Sequence, residues 1–168
     1  MTIRRRFIAL AALAALGSLA VPASAQQVIK LTAAAGHPPV FLWVKLVDEV
    51  LMPEVDRRLA AAGGKYRIEW TKAWGGTLLK LGSESKGVAD GVADLAIVST
   101  IFEAPKFPLQ NVSYFTPFGS DDVGLVSRSV AELQQSVPAM GDAWTKNGLV
   151  YLGGMALAFL PFVLFIDD

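Results

Sequence analysis

Tyr66-Arg67-Ile68-Glu69-Trp70-Thr71-Lys72-Ala73-Trp74-Gly75-Gly76-Thr77 is the stretch on which the fold turns. Tyr66, Ile68 and Trp70 fall on one side of a two-residue repeat, with Arg67, Glu69 and Thr71 on the other. That is the alternation of a strand with one face more buried. Trp74-Gly75-Gly76 is the turn after it, and the pattern from Thr77 to Ala89 predicts a helix weakened by Gly82 and Gly87. Working outward, Asp94 to Ser99 is an apolar run of strand length, as in a buried parallel strand. Upstream, Val28 to Ala33 is a short strand leading into the turn Gly36-His37-Pro38-Pro39. From Val40 the spacing is helical, with Phe41, Val44, Val47, Val50 and Leu51 as its apolar positions. Pro53 kinks or splits this helix, and Gly63-Gly64 ends it. Phe102 to Phe118, rich in Pro and aromatics, is expected to be packed but irregular. Asp121 or Asp122 caps a helix from Val123 to about Gln135, a second helix follows Pro138 to about Lys146, and Leu149 to Gly153 is a further strand. Strands alternating with helices predict an α/β domain with a mostly parallel sheet.

The ends of the chain differ from its middle. Arg4-Arg5-Arg6, the apolar run Phe7 to Ala20 and Ala23-Ser24-Ala25 have the layout of a secretory signal peptide over residues 1–25. A membrane anchor is the alternative, but Gly17, Ser18 and Pro22 interrupt a run already short for a span. The 168 residues carry 15 basic and 15 acidic side chains. Removing the leader takes away three arginines and no acid, leaving twelve basic against fifteen acidic side chains, a net of −3. Such a chain has no electrostatic attraction to nucleic acid or anionic lipid. With no Cys, thiol nucleophiles, disulfides and Cys-ligated metals are excluded; with one His, so is any site needing two imidazoles. Leu149 to Ile166 is 18 residues without a charge. Gly153-Gly154 and Pro161 break it, which favours two buried strands over a membrane span. The chain stops at Asp167-Asp168 just after the strand-like Phe162 to Ile166, as an incomplete chain would.

No nucleophile elbow, phosphate-binding loop or paired-glycine dinucleotide motif is present. A hydrolase is disfavoured on that ground and by the lone His. No cofactor is implied. His37 sits in a turn before a helix, either solvated at the helix start or touching a ligand. Trp74-Gly75-Gly76 stands at the carboxyl end of a strand and at the expected start of a helix, where free N–H groups attract anions. Ser99 and Thr100 end the next strand. Three strand ends thus meet on one rim suited to a small anionic or polar solute; alternatively Trp74 is core and Ser99-Thr100 caps a turn. Asn111-Val112-Ser113 is formally a glycosylation sequon.

The ordered series resembles the solute-binding proteins of the tripartite ATP-independent periplasmic (TRAP) transporters, the DctP type. Trp74-Gly75-Gly76-Thr77-Leu78 is similar to the family's "P-x-G-Q-L-G" turn, and Gly87 to Val98 to its "A-V-x-x-G-x-x-D-M-G" segment. Pro108-Leu109 and Tyr114-Phe115-Thr116-Pro117-Phe118 resemble its "P…L-P-F-L-F" stretch. The resemblance covers essentially all of 26–168. It implies the first α/β domain of a two-domain periplasmic-binding-protein-like fold, the second domain being absent, that captures a small organic acid and delivers it to a TRAP membrane permease. Ser99 and Phe102 match positions that contact ligand in some members, and His37 and Trp74 lie on loops that do so. With Gly75 and Thr100 these are the expected solute-binding residues. The family's carboxylate-binding Arg stands in a "G-x-K-x-R" strand that does not occur here, and Phe159-Leu160-Pro161 lacks the Arg some members carry there. A periplasmic sensor or adaptor built on half of the same fold is the competing expectation.

Overall fold

The computed structural model describes residues 26–115 and 120–154. Strand β1 (Gln27–Ala35) lies between β2 (Tyr66–Ala73) and β3 (Leu95–Ile97), both parallel to it, so the sheet order is β2-β1-β3. The central strand ends in Ala33, Ala34 and Ala35, each at most 1% exposed. Small side chains let neighbours close over both faces there: Ala34 packs with Leu79 and Ala93, and Ala73, Val88 and Ala96 surround them. The expected alternation of β2 is present, Tyr66, Ile68 and Trp70 being half-buried between exposed Arg67, Glu69 and Thr71. β3 is shorter than the apolar run suggested and only half-buried, because it is an edge of this sheet. Asp94 precedes it, its carboxylate accepting from Thr32 N–H at 2.7 Å.

The first helical segment is α1 (Leu42–Leu46), a π-turn (Val47–Leu51) and α2 (Met52–Ala61) in succession. Pro53 stands in the first turn of α2, where its missing N–H is tolerated, and the wider π-turn before it absorbs the mismatch. One extra residue per turn rotates everything downstream by about 100°. That corrects the expected apolar face: Met52 is buried, while Val50 and Leu51 are exposed; upstream of the turn Val44 is buried and Phe41, at the N-cap of α1, is exposed. Gly63 and Gly64 end α2 with positive φ, and Gly64 N–H reaches back to Leu59 C=O at 3.1 Å.

Two expectations are corrected outright. The helix expected over Thr77–Ala89 is only α3 (Glu84–Ala89). Gly75, Gly76 and Gly82 all have positive φ, a conformation that interrupts a right-handed helix. The strand expected over Leu149–Gly153 is not one: Leu149 to Gly154 is irregular, although Leu149 is buried. Leu149 is held by side-chain packing instead, with Trp144 and Phe107 in a second core cluster.

The segment after β3 holds short 3-10 turns (Thr100–Glu103, Leu109–Asn111) and α4 (Val112–Phe115). Phe107 is fully buried there, its ring 4.4 Å from that of Trp144. Then come α5 (Val123–Ser136) and α6 (Pro138–Lys146), within a residue of the expected bounds. Asp122, rather than Asp121, caps α5, accepting from Leu125 N–H at 2.9 Å. The sequon's Asn111 is 1% exposed and holds Phe107 C=O at 2.9 Å, so it is closed to glycosylation. Among the described residues no helix is long and apolar enough to cross a membrane. The signal-peptide reading of 1–25 and the apolar run from 155 lie outside the described residues.

Candidate functional site

The chain passes from β1 to β2 on one side and then crosses back over β1 to β3 on the other. The carboxyl ends of β1 and β3 therefore flank a topological switch point, where α/β sheets open a crevice. The loops after all three strands are tied together there. Gly75 N–H donates to His37 C=O at 2.9 Å, and Gly76 N–H to Ala35 C=O at 3.0 Å, joining the β2 loop to the β1 loop. Both glycines have positive φ, so the double back-bond needs residues free of a Cβ penalty. Ser99 Oγ lies 3.2 Å from His37 Nδ1, joining β3 to β1, and Phe102 N–H donates to Ser99 C=O at 3.0 Å.

His37 is ringed by aromatics. Its centroid is 4.8 Å from Phe41, 5.1 Å from Trp43 and 5.9 Å from Phe102, and Phe41 and Trp43 are 4.7 Å apart. Burial lowers the pKa of His37, which favours the neutral imidazole. Phe102 is 55% exposed and Phe41 39%, so ring faces remain open to solvent on this rim. Lys80 lies across the Gly75–Gly76 turn: a Cβ placed on Gly76 would stand 3.7 Å from its Nζ. Among the described residues Lys80 has no ion-pair partner.

Of the six residues singled out from the sequence, His37, Gly75, Ser99 and Phe102 come together. The other two are tied elsewhere. Trp74 Nε1 donates to Asp48 Oδ2 at 3.0 Å, and Asp48 also takes Lys72, so the indole is clamped to the π-turn. Lys72 chiefly, opposed by burial and aided by Trp74, holds the Asp48 carboxyl below its ordinary value. Thr100 Oγ1 donates to the buried Asn111 at 3.1 Å. No helix begins at Trp74-Gly75-Gly76, which removes the expected helix-end anion site; α3 starts only at Glu84. Phe41, Trp43 and Lys80 were missed. Phe41 was assigned to a helix face, and nothing local marks Lys80. Two aromatics within six residues of a lone His were the available signal. A groove between α5 and Tyr151–Gly154 shares no residue with this rim. Among the described residues no group of His, Asp and Glu could hold a metal ion.

A solved TRAP periplasmic solute-binding protein from Desulfovibrio salexigens superposes with a TM-score of 0.54 at 25% identity, over 66% of this chain and 32% of that one. In fold, the chain is similar to a domain of a TRAP periplasmic solute-binding protein. The Desulfovibrio structure is an open complex whose ligand site holds the C-terminus of a neighbouring molecule. DctP7 of Bordetella pertussis, an extracytoplasmic solute receptor binding pyroglutamic acid, gives a TM-score of 0.49 at 23% identity, over 73% of this chain and 37% of that one. The chain thus spans about a third of the length of these TRAP receptors. No family model and no curated protein matches it.

Proposed function

We propose that this chain forms one side of the solute cleft of an extracytoplasmic TRAP receptor, the first of two α/β domains, and takes a small organic acid. The observation that carries the reading is the His37–Ser99 contact across the β1/β3 switch point, with exposed rings beside it and, at the adjoining Gly76 turn, the Lys80 ammonium, which has no ion-pair partner among the described residues. A solute's carbon skeleton lies against Phe41 and Phe102. Its polar end meets His37, Ser99 and Lys80. Trp74, Gly75 and Thr100 shape the walls: Gly75 by its bond to His37, the others through Asp48 and Asn111. The receptor binds and releases, without transforming, and hands its solute to the TRAP permease subunits. Residues 1–25 direct export to the periplasm and are then removed.

One face of a cleft binds weakly on its own, so the test suits weak binding. His37 is the only His in the chain, and its ring protons give unambiguous NMR signals. Titration of the chain with a panel of mono- and dicarboxylates is expected to move those signals saturably for at least one acid. Lys80→Met is expected to weaken that response about tenfold, the loss of one charge-assisted contact. Acids that perturb only residues away from His37, Ser99 and Phe102 would remove this rim as the solute site.

A further inference from the structure

Beneath the rim lie two carboxylates that the solute contact does not use. Glu84 is 0% exposed and Glu103 is 3% exposed. Glu84 opens α3, and its Oε2 accepts from Gly82 N–H at 2.7 Å. Its other oxygen, Oε1, has no hydrogen-bond partner of ordinary geometry among the described residues. That oxygen stands 2.6 Å from where a Cβ on Gly36 would be, so the residue preceding His37 closes directly onto the carboxyl group. Glu103 ends the 3-10 turn that carries Thr100 and Phe102. It accepts from Ser85 N–H at 3.0 Å, from the Ser85 hydroxyl, and from Lys106 Nζ at 2.7 Å. Glu84 and Ser85 are consecutive, so Glu84, which closes on the loop after β1, and Glu103, on the loop after β3, are both anchored at the head of α3.

Of the two buried acids, only Glu103 is paired with an ammonium, that of Lys106. Burial pushes the Glu84 carboxyl up, and the Glu103 charge adds to this against the nearby N–H groups of Glu84, Gly82 and Gly36. Burial also works to raise Glu103, but Lys106 and Ser85 outweigh it and hold that group below its usual range. The charged group acting on Glu84 is Glu103, on the segment after β3, itself paired with Lys106; the loop after β1 meets Glu84 at Gly36, next to His37.

We propose that Glu84 is a positioning residue for the rim: its buried carboxyl, coupled to Glu103 through Ser85, sets where Gly36–His37 stands against Ser99–Phe102, and gaining or losing its proton moves that placement. The binding role of the rim rests on the receptor reading; the placement and its test need no solute. In the full chain without added acid, the His37 ring signals are expected to show two inflections with pH, one from His37 and one from Glu84. Glu84→Gln keeps the shape of the side chain and is expected to leave a single inflection. Glu103→Gln removes the neighbouring charge and is expected to move the second inflection to lower pH. A single inflection in the unmodified chain overturns the proposal, as does a second one that persists in Glu84→Gln. If Glu84→Gln does not fold, an unmoved inflection in Glu103→Gln overturns it instead. A His37 signal that answers to pH in this way but to no carboxylate would sink the receptor reading and leave the positioning role standing.

Discussion

A methyl group on Gly36 has no room: it would stand 2.6 Å from Glu84 Oε1 and 2.7 Å from both the Leu81 side chain and its backbone nitrogen. Backbone cannot swing aside as a side-chain tip can, so Gly36→Ala is expected to cost about 1–3 kcal/mol. Denaturant midpoints measure this, and a variant as stable as the parent would show that the loop yields freely. At Asp48 the sign of the pH effect is fixed by its lowered pKa. The folded chain takes up that proton less readily than the unfolded one. The stabilisation is therefore complete above the ordinary value of 3.8 and is lost as pH falls through the folded-state value. Thermal melts across the acid range should fall less steeply for Asp48→Asn than for the parent. Part of this level was legible in the sequence. His37, Gly75, Ser99 and Phe102 stand beside strand ends, and strand ends are readable from periodicity. The partners of Trp74 and Thr100 were not legible, because an indole or a hydroxyl carries no mark of the Asp48 or Asn111 it will meet.

At the scale of elements, stop signals were more reliable than periodicity. Gly63-Gly64, Asp122 and Pro138 each mark a helix boundary, through contacts made within a turn of the residue itself. Asp122→Ala removes the acceptor for Leu125 N–H and is expected to cost about 0.5–2 kcal/mol. Faster amide exchange confined to the first turn of α5 is the matching local signal; unchanged exchange there would mean the cap contributes nothing. Periodicity misled in two places. From Thr77 to Ser83 the residue types allow a helix, but the back-bonds of Gly75 and Gly76 to β1 hold the chain in a left-handed turn. From Val47 to Leu51 the π-turn shifts the phase, leaving Val50 and Leu51 outside. In both, a tertiary contact or an inserted residue overrode a local preference.

Across the whole molecule, Phe107 links the segment after β3 to the rest. Fully buried, it packs on Trp144 of α6 and Leu149, with Val88 of α3 and Val98 beside β3. Phe107→Ala is expected to cost about 3–5 kcal/mol. That is a large share of a typical domain's stability of about 5–15 kcal/mol. A shift of the denaturation midpoint well under that size would mean the cluster collapses onto the gap. The sequence by itself determined the α/β alternation, the parallel sheet, most helix ends and which loops follow which strands. Each of these rests on spacing and capping between near neighbours in the chain. Only the tertiary structure decided the order β2-β1-β3, the meeting of His37 with Ser99 across 62 positions, and the burial of Glu84 and Glu103. Strand order and the enclosure of a charged side chain depend on which faces close over one another, and residues far apart in sequence settle that together.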